Sequence, residues 1–367
     1  MGRAAASLPC VAFALTLLVC CASAYNNSTP PYWEELVKIL DWSSDHVQHP
    51  SKIGGHCATD SIWDWKAKFH LQNRTNAKSA SSGCTFETAC DSVTKRNDYE
   101  GDDINTLFVD MVVTVLCYSE GNCAGGVDDA RIFAQIAELE ADFAPMGVLF
   151  RLNRVAYEVN AKYASIRKYS QLPFWYNDIN TVKDLYAYDP EHNINIFVTD
   201  QDEGKQGTLL GIGTFPWDPE YLTSRGGLWM NARFFGAGEK TLAHEFGHNV
   251  GLWHTFHGVS EVKCGDPCYE PPHPMDDPSA DESGDFCSDT LSTPTNYYCN
   301  DPSGTDSCSK NPWTEYGTNP ENIMSYSPDN CMNTFSANQR GRARCHLCEV
   351  VPTVLDSSVP LSHMCPV

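Results

Sequence analysis

The eleven residues from His244 to His254, HEFGHNVGLWH, limit what this chain can be more than any other stretch. On an α-helix, positions four apart differ by about 40° of net rotation and about 6 Å of rise. His244 and His248 therefore project from one face and can offer two imidazole nitrogens to one zinc ion, with Glu245 beside them. Gly251 can end the helix in a left-handed conformation and turn the chain back, so that His254 arrives as a third ligand. Three protein ligands leave a fourth position for water, and Glu245 can take a proton from that water without being a ligand itself. A chance match to the five fixed positions in a chain of this composition is on the order of 10⁻⁴, which sets aside a polar helix with surface histidines.

The rest of the chain bounds the setting. At 367 residues it can bury a large core, and a formal net charge of -22 excludes nucleic acid and anionic membrane surfaces as natural partners. The start carries Arg3, an apolar run to Cys21, and small residues at 22–24. This is the pattern of a secretory signal peptide over residues 1–24, too short to span a membrane, and no later stretch is long enough to insert in one. Export makes the cysteines read as disulfides. Of 17, three lie in the leader; five of the others fall between Cys57 and Cys123 and nine between Cys264 and Cys365. Both groups are odd, so full pairing needs at least one bridge between them. Glycosylation sequons at Asn26, Asn27 and Asn73 fit the same compartment.

Residues 25–96 have little apolar periodicity beyond two short amphipathic runs, at 32–40 and 61–71. They read as a pro-segment, with Lys95-Arg96 as a processing site and the catalytic domain at 97–367. Leu107 to Cys117 reads as a buried strand; Asp128 or Asp129 caps a helix bearing Ile132, Ile136, Leu139 and Phe143; further strands are expected at 148–159, 194–199, 209–215 and 227–235, with a polar stretch before Asn193. Pro216 puts the strand at 209–215 at an edge. The fold class is α/β (α+β), with a twisted mixed sheet. From 255 to 322 the composition turns to Gly, Pro, Asp and Cys, an irregular stretch that disulfides can hold, and a last helix capped by Ser336 runs from about Ala337.

Together with NIMSY at 322–326, the zinc-binding string resembles the metzincin metalloproteases, and HTFHG, GDFCSDT and CMNTFSANQ narrow the resemblance to the pappalysin family. The resemblance implies a two-lobed catalytic domain with the active-site helix between a sheet lobe and a disulfide-rich irregular C-terminal lobe. It implies one catalytic zinc on His244, His248 and His254, Glu245 as general base, Tyr326 as oxyanion stabiliser and Met324 as the structural methionine beneath the metal. It also implies an extended protein or peptide substrate along an edge strand at Leu209, Leu210, Gly211, Ile212 and Gly213. Relatives selecting Arg or Lys carry an acid directly before the cysteine that follows the methionine turn. Here Asn330 stands there with Asp329 beside it. By the same resemblance Asp285 and Thr290 are candidates for calcium, Cys57 for a cysteine switch on the zinc, Cys299 pairs with Cys331, and Cys308 is tied to an upstream cysteine. The expected activity is hydrolysis of extracellular proteins, in an unspecified oligomeric state. The alternative from another class is a zinc-containing binding module without activity, against which the presence of Glu245 argues.

Overall fold

A computed structural model describes residue 84 and residues 86–101, 105–167, 174–201 and 209–365. These all belong to one compact unit, Val37–Val367. The expected signal peptide, the sequons, both amphipathic runs and Cys57 lie outside the described residues. Among the described residues no helix is long and apolar enough to cross a membrane.

The apolar run after residue 106 forms β1 (Leu107–Ser119), buried without interruption from Val109 to Cys117. A strand apolar on both faces belongs at the centre of a sheet. β1 pairs in parallel with β3 (Val148–Val159) on one side and β5 (Ile194–Gln201) on the other. Beyond β5 come β7 (Leu228–Asn231), parallel, and β6 (Gly211–Gly213), antiparallel at the sheet edge. Two short strands, β2 (Asn122–Cys123) and β4 (Ser165–Ile166), complete the mixed sheet against β1 and β5. β6 thus has the edge position expected from Pro216, although it is shorter than 209–215. β7 also stops early, because a turn of 3₁₀ helix takes over at Ala232–Phe234.

Two helices lean on this sheet as the apolar spacing requires. Asp128 caps α2 (Asp129–Phe143) by accepting from the Arg131 amide, and Ile132, Ile136, Leu139 and Phe143 enter the core. Gly147, in the left-handed region at φ 68°, turns the chain into β3. The polar stretch before Asn193, for which no element was expected, contains α3 (Phe174–Tyr186). Its Ile179, Val182 and Tyr186 are buried at helical spacing, a stripe that the surrounding Asn and Asp residues obscured in the sequence.

After the zinc-binding string, residues 255–336 contain no strand and only short helical turns. Cys264–Cys308 and Cys299–Cys331 bridge this stretch, as the family pattern implied. Two bridges, Cys84–Cys268 and Cys90–Cys345, cross between the early and late groups, where full pairing required an odd number, so the pairing is not complete. Cys117–Cys123 and Cys348–Cys365 are local, and Cys287 is a buried free thiol. The last long helix, α5 (Ala337–Cys345), starts with a reciprocal capping box between Ser336 and Gln339. Lys95 and Arg96 sit in a short helix, α1 (Val93–Asn97), packed on α5. There Arg96 is only 3% exposed and pairs with Glu100 and Asp281, so the expected processing site is not an open loop.

Just beyond α5 the His346 ring is fully buried. Its Nδ1–H donates to the Arg342 carbonyl and its Nε2 accepts from the Thr88 hydroxyl, which fits a neutral ring. Burial pushes its pKa down to about 3 from 6.5. The unfolded chain therefore binds a proton that the fold refuses as pH falls from 6.5 towards 3. The stability associated with neutral His346 is complete above pH 6.5 and is lost progressively below it. Denaturant unfolding across that window should show a wild-type loss of stability with acid that is steeper than that of His346→Gln by about one bound proton.

Candidate metal and active site

The helix α4 (Thr241–Asn249) carries His244, Glu245 and His248, and all nine of its residues are buried. It is wedged between α2 and the sheet, with Phe246 edge-on to Phe143 at 5.2 Å and to Phe150 at 4.8 Å. Gly251 follows with φ +90°, the left-handed turn the string predicted, and His254 comes back to the helix. The Nε2 atom of His254 lies 3.1 Å from that of His248 and 3.2 Å from that of His244. Tetrahedral zinc with bonds of about 2.0–2.1 Å places nitrogen ligands about 3.3 Å apart.

The far side of each ring says what the near side carries. His244 Nδ1 meets the Ile323 carbonyl at 2.7 Å, His248 Nδ1 the Leu252 carbonyl at 2.7 Å, and His254 Nδ1 the Glu261 carboxylate at 2.8 Å. Each acceptor fixes the ring proton on Nδ1, which leaves three Nε2 lone pairs converging on one point. Lone pairs at that separation repel one another unless a cation lies between them. The donor set therefore fits a divalent metal, and among the described residues these three histidines form the one such cluster.

The methionine turn closes the site from below. Met324 is fully buried, and its Sδ lies 2.3 Å from where a Cβ on Gly247 would stand, so only glycine at 247 lets the turn approach α4. The Tyr326 ring lies 4.9 Å from His254 and 5.9 Å from His244, centroid to centroid, beside Phe256. The structure thus brings Tyr326 beside His244 and His254, and Met324 against Gly247 of the helix that bears two of the histidines.

No family model matches the chain. Pappalysin-1 of Mus musculus is 38% identical over 176 residues, which is 47% of this chain and 10% of that protein. Pappalysin-1 of Homo sapiens matches at the same identity and extent. Over that stretch the chain is similar to the pappalysins. It spans about a tenth of the length of these relatives. An extracellular metalloprotease of Pyricularia oryzae is 28% identical over 248 residues, covering 65% of this chain and 74% of that one. Among solved structures, mature mirolysin of Tannerella forsythia in complex with a cleaved peptide is 23% identical, with a TM-score of 0.47 over 65% of this chain and 91% of that one.

In this chain the edge strand lies against Glu245, the expected base. A Cβ on Gly211 would lie 2.8 Å from Cγ of Glu245, and one on Gly213 would lie 2.2 Å from the Glu245 carbonyl oxygen. Two glycines on one face of β6 therefore let it lie directly on α4 at Glu245. Leu209 and Leu210 extend the strand's approach through their carbonyls, which accept from Asn231, and Ile212 pairs with Trp229.

The two specificity candidates separate. Asn330 is exposed, whereas Asp329 is half-buried and turned to the start of α4, where its carboxyl hydrogen-bonds Glu239. Burial and the neighbouring Asp329 push Glu239 up to about 7, and Asp329 is raised as well, chiefly by burial. Asp285 and Thr290 come together, the Thr290 hydroxyl donating to the carboxylate at 2.7 Å. Burial, reinforced by nearby Glu270, holds the Asp285 pKa well above the usual carboxylate range.

Glu261 is the site residue that the sequence reading missed. Its second oxygen accepts from His257 Nδ1 at 2.8 Å, so one carboxylate holds two histidines, one of them a metal ligand. Its signal was only a carboxylate seven residues past His254, inside an irregular stretch. A carboxylate partner fixes ring orientation and strengthens the ligand. Glu261→Gln should weaken zinc binding by roughly 10- to 100-fold in competition with a chromogenic chelator while leaving thermal unfolding of the metal-free protein near wild type.

Proposed function

We propose that the chain is a secreted zinc-dependent endopeptidase acting on extracellular proteins. One observation carries the reading: His254 Nε2 lies 3.1 and 3.2 Å from those of His248 and His244, on the helix that also bears buried Glu245, directly under an edge strand. The names of the sequence relatives, pappalysin and extracellular metalloprotease, support it.

His244, His248 and His254 would hold the zinc, which supplies Lewis acidity to the scissile carbonyl and lowers the pKa of water towards 7. A substrate strand laid along β6, the sheet's edge strand, runs past Glu245, with backbone hydrogen bonds fixing its register. Glu245 takes a proton from the attacking water and returns it to the departing amine. The Tyr326 hydroxyl donates to the carbonyl oxygen as negative charge gathers there. Met324 acts through packing: it supports α4 at Gly247 and takes no part in the proton transfers.

The same reading includes a calcium ion at Asp285 and Thr290. A divalent cation would let Asp285 ionise beside Glu270 despite burial. Calcium titration should raise the thermal unfolding temperature of the wild type and not of Asp285→Asn; equal rises would remove this ion from the reading.

The activity is tested on the secreted protein by counting zinc and assaying peptide cleavage with and without Glu245→Ala. About one zinc is expected in both, with cleavage reduced by at least about 10²-fold in the variant. Unchanged cleavage by the variant would overturn the role of Glu245. Zinc without cleavage in the processed wild type would favour a binding module.

A further inference from the structure

The segment from Cys84 to Gly101 precedes the sheet in sequence yet is built into the floor of the metal site. Two disulfides tie it to distant residues, Cys84 to Cys268 and Cys90 to Cys345. Between them and just beyond, it places three polar side chains against the C-terminal part. Thr88 reaches His346 at 2.9 Å. Arg96 reaches Asp281 at 2.7 Å and the Phe286 carbonyl at 2.8 Å. Asp91 forms an ion pair with Arg342, and the two are 1% and 0% exposed.

Arg342 is where this segment meets the zinc-binding string. Its Nε donates to the Gly251 carbonyl at 2.6 Å, in the turn that delivers His254. Its guanidinium also lies 5.1 Å from the centre of the Phe286 ring and 5.9 Å from that of Trp217. His346 seals the same turn from beneath, its Nδ1 being 2.4 Å from where a Cβ on Gly251 would stand. The turn has no room to shift towards α5. Its Leu252 carbonyl in addition orients His248, so two of the three ligands depend on its position.

We infer that Asp91 is a positioning residue for the metal site, acting through Arg342 on the Gly251 carbonyl, and that residues 84–101 are a permanent clasp of the catalytic unit. This rests on the zinc reading above. A cut after Arg96 would leave residues 84–96 attached by their disulfides; maturation that discards a pro-segment takes place before Cys84. An ion pair suits the task. A guanidinium forks, so one group can hold Asp91 on one side and the carbonyl on another, which a lysine ammonium in the same place does not reproduce. Burial of both charges means that removal of one leaves the other uncompensated.

The test uses the full-length secreted protein and zinc itself, with affinity measured by chelator competition. Asp91→Asn and Arg342→Lys are each expected to weaken zinc by about tenfold, the effect typical of residues that orient metal ligands. Arg96→Gln is the comparison. It removes the contacts to Asp281 and to the Phe286 carbonyl but leaves the Asp91–Arg342 pair and the Arg342 bond to the Gly251 carbonyl in place, so it should lower the unfolding temperature and leave zinc affinity unchanged. Wild-type affinity in Asp91→Asn, or an equal loss in Arg96→Gln, would overturn the relay and leave a merely structural clasp. Should Asp91→Asn not be secreted, Arg342→Lys carries the same test from the other end. Mass spectrometry of the active protein without reduction should show residues 84–96 still present, held by Cys84–Cys268 and Cys90–Cys345; an active protein that lacks them would overturn the clasp. His244→Ala serves as the control for the metal centre: if it binds zinc as the wild type does, the zinc reading itself has failed, whatever the Asp91 variants do.

Discussion

Three imidazoles held with their lone pairs facing one another are an unfavourable arrangement that the fold nonetheless imposes. Each ring is oriented from behind by a different part of the chain: His244 by the methionine turn, His248 by the turn that follows its own helix, His254 by Glu261. None of the three acceptors could be moved without letting its ring rotate, and a rotated ring removes one donor from the set. The helix supplies spacing, but the tautomers come from elsewhere. This is why a site that occupies eleven residues of sequence needs the sheet lobe, the irregular lobe and the segment at 84–101 to be finished.

The same dependence appears in how closely the backbone elements approach. Gly247 admits Met324, Gly211 and Gly213 admit α4, and Gly251 rests on His346, each at a distance a Cβ would forbid. Packing at that density transmits displacement instead of absorbing it. A shift of α5 would therefore move the turn at Gly251, and a shift of β6 would move Glu245. Arg342 lies at the meeting point of these constraints, between Asp91, Phe286, Trp217 and the Gly251 carbonyl.

What the sequence disclosed follows from range. The ligand spacing, the left-handed Gly251, the central strand β1 and the cap at Asp128 are local patterns, and local geometry enforces them. The edge position of β6 was readable from Pro216, whereas the number of crossing disulfides was not, since odd groups fix it only when every cysteine pairs and Cys287 is free. What was hidden depended on contacts remote in sequence. Asp91 and Arg342 are about 250 residues apart, and nothing near either marks them as partners. Lys95-Arg96 looked like an exposed dibasic pair because composition carries no information about burial, whereas Arg96 is enclosed by Glu100 and Asp281. Glu261 is near the site in sequence, yet its stretch has no period from which to infer where a side chain points. The helix α3 was readable in principle, since its buried stripe has the right spacing, but its polar majority outweighed it.

The irregular lobe raises the remaining physical question, which is how a long stretch without strands holds Met324 and Tyr326 in place beside the zinc-binding string. Apolar burial there is sparse; the residues that enter the core, Phe256, Phe286, Ile323 and Met324 among them, are scattered along it. Disulfides compensate by narrowing the unfolded ensemble, and more so for long loops. The two that cross between the early and late groups close loops of 184 and 255 residues, the longest in the described chain, and they anchor at Cys268 and Cys345 on either side of the methionine turn. Cross-links so placed restrict the turn and the zinc-binding string together, because α5 carries both Cys345 and Arg342. The covalent clasp and the ionic relay thus converge on one helix, and the precision of the metal site derives from that helix as much as from the one bearing the ligands.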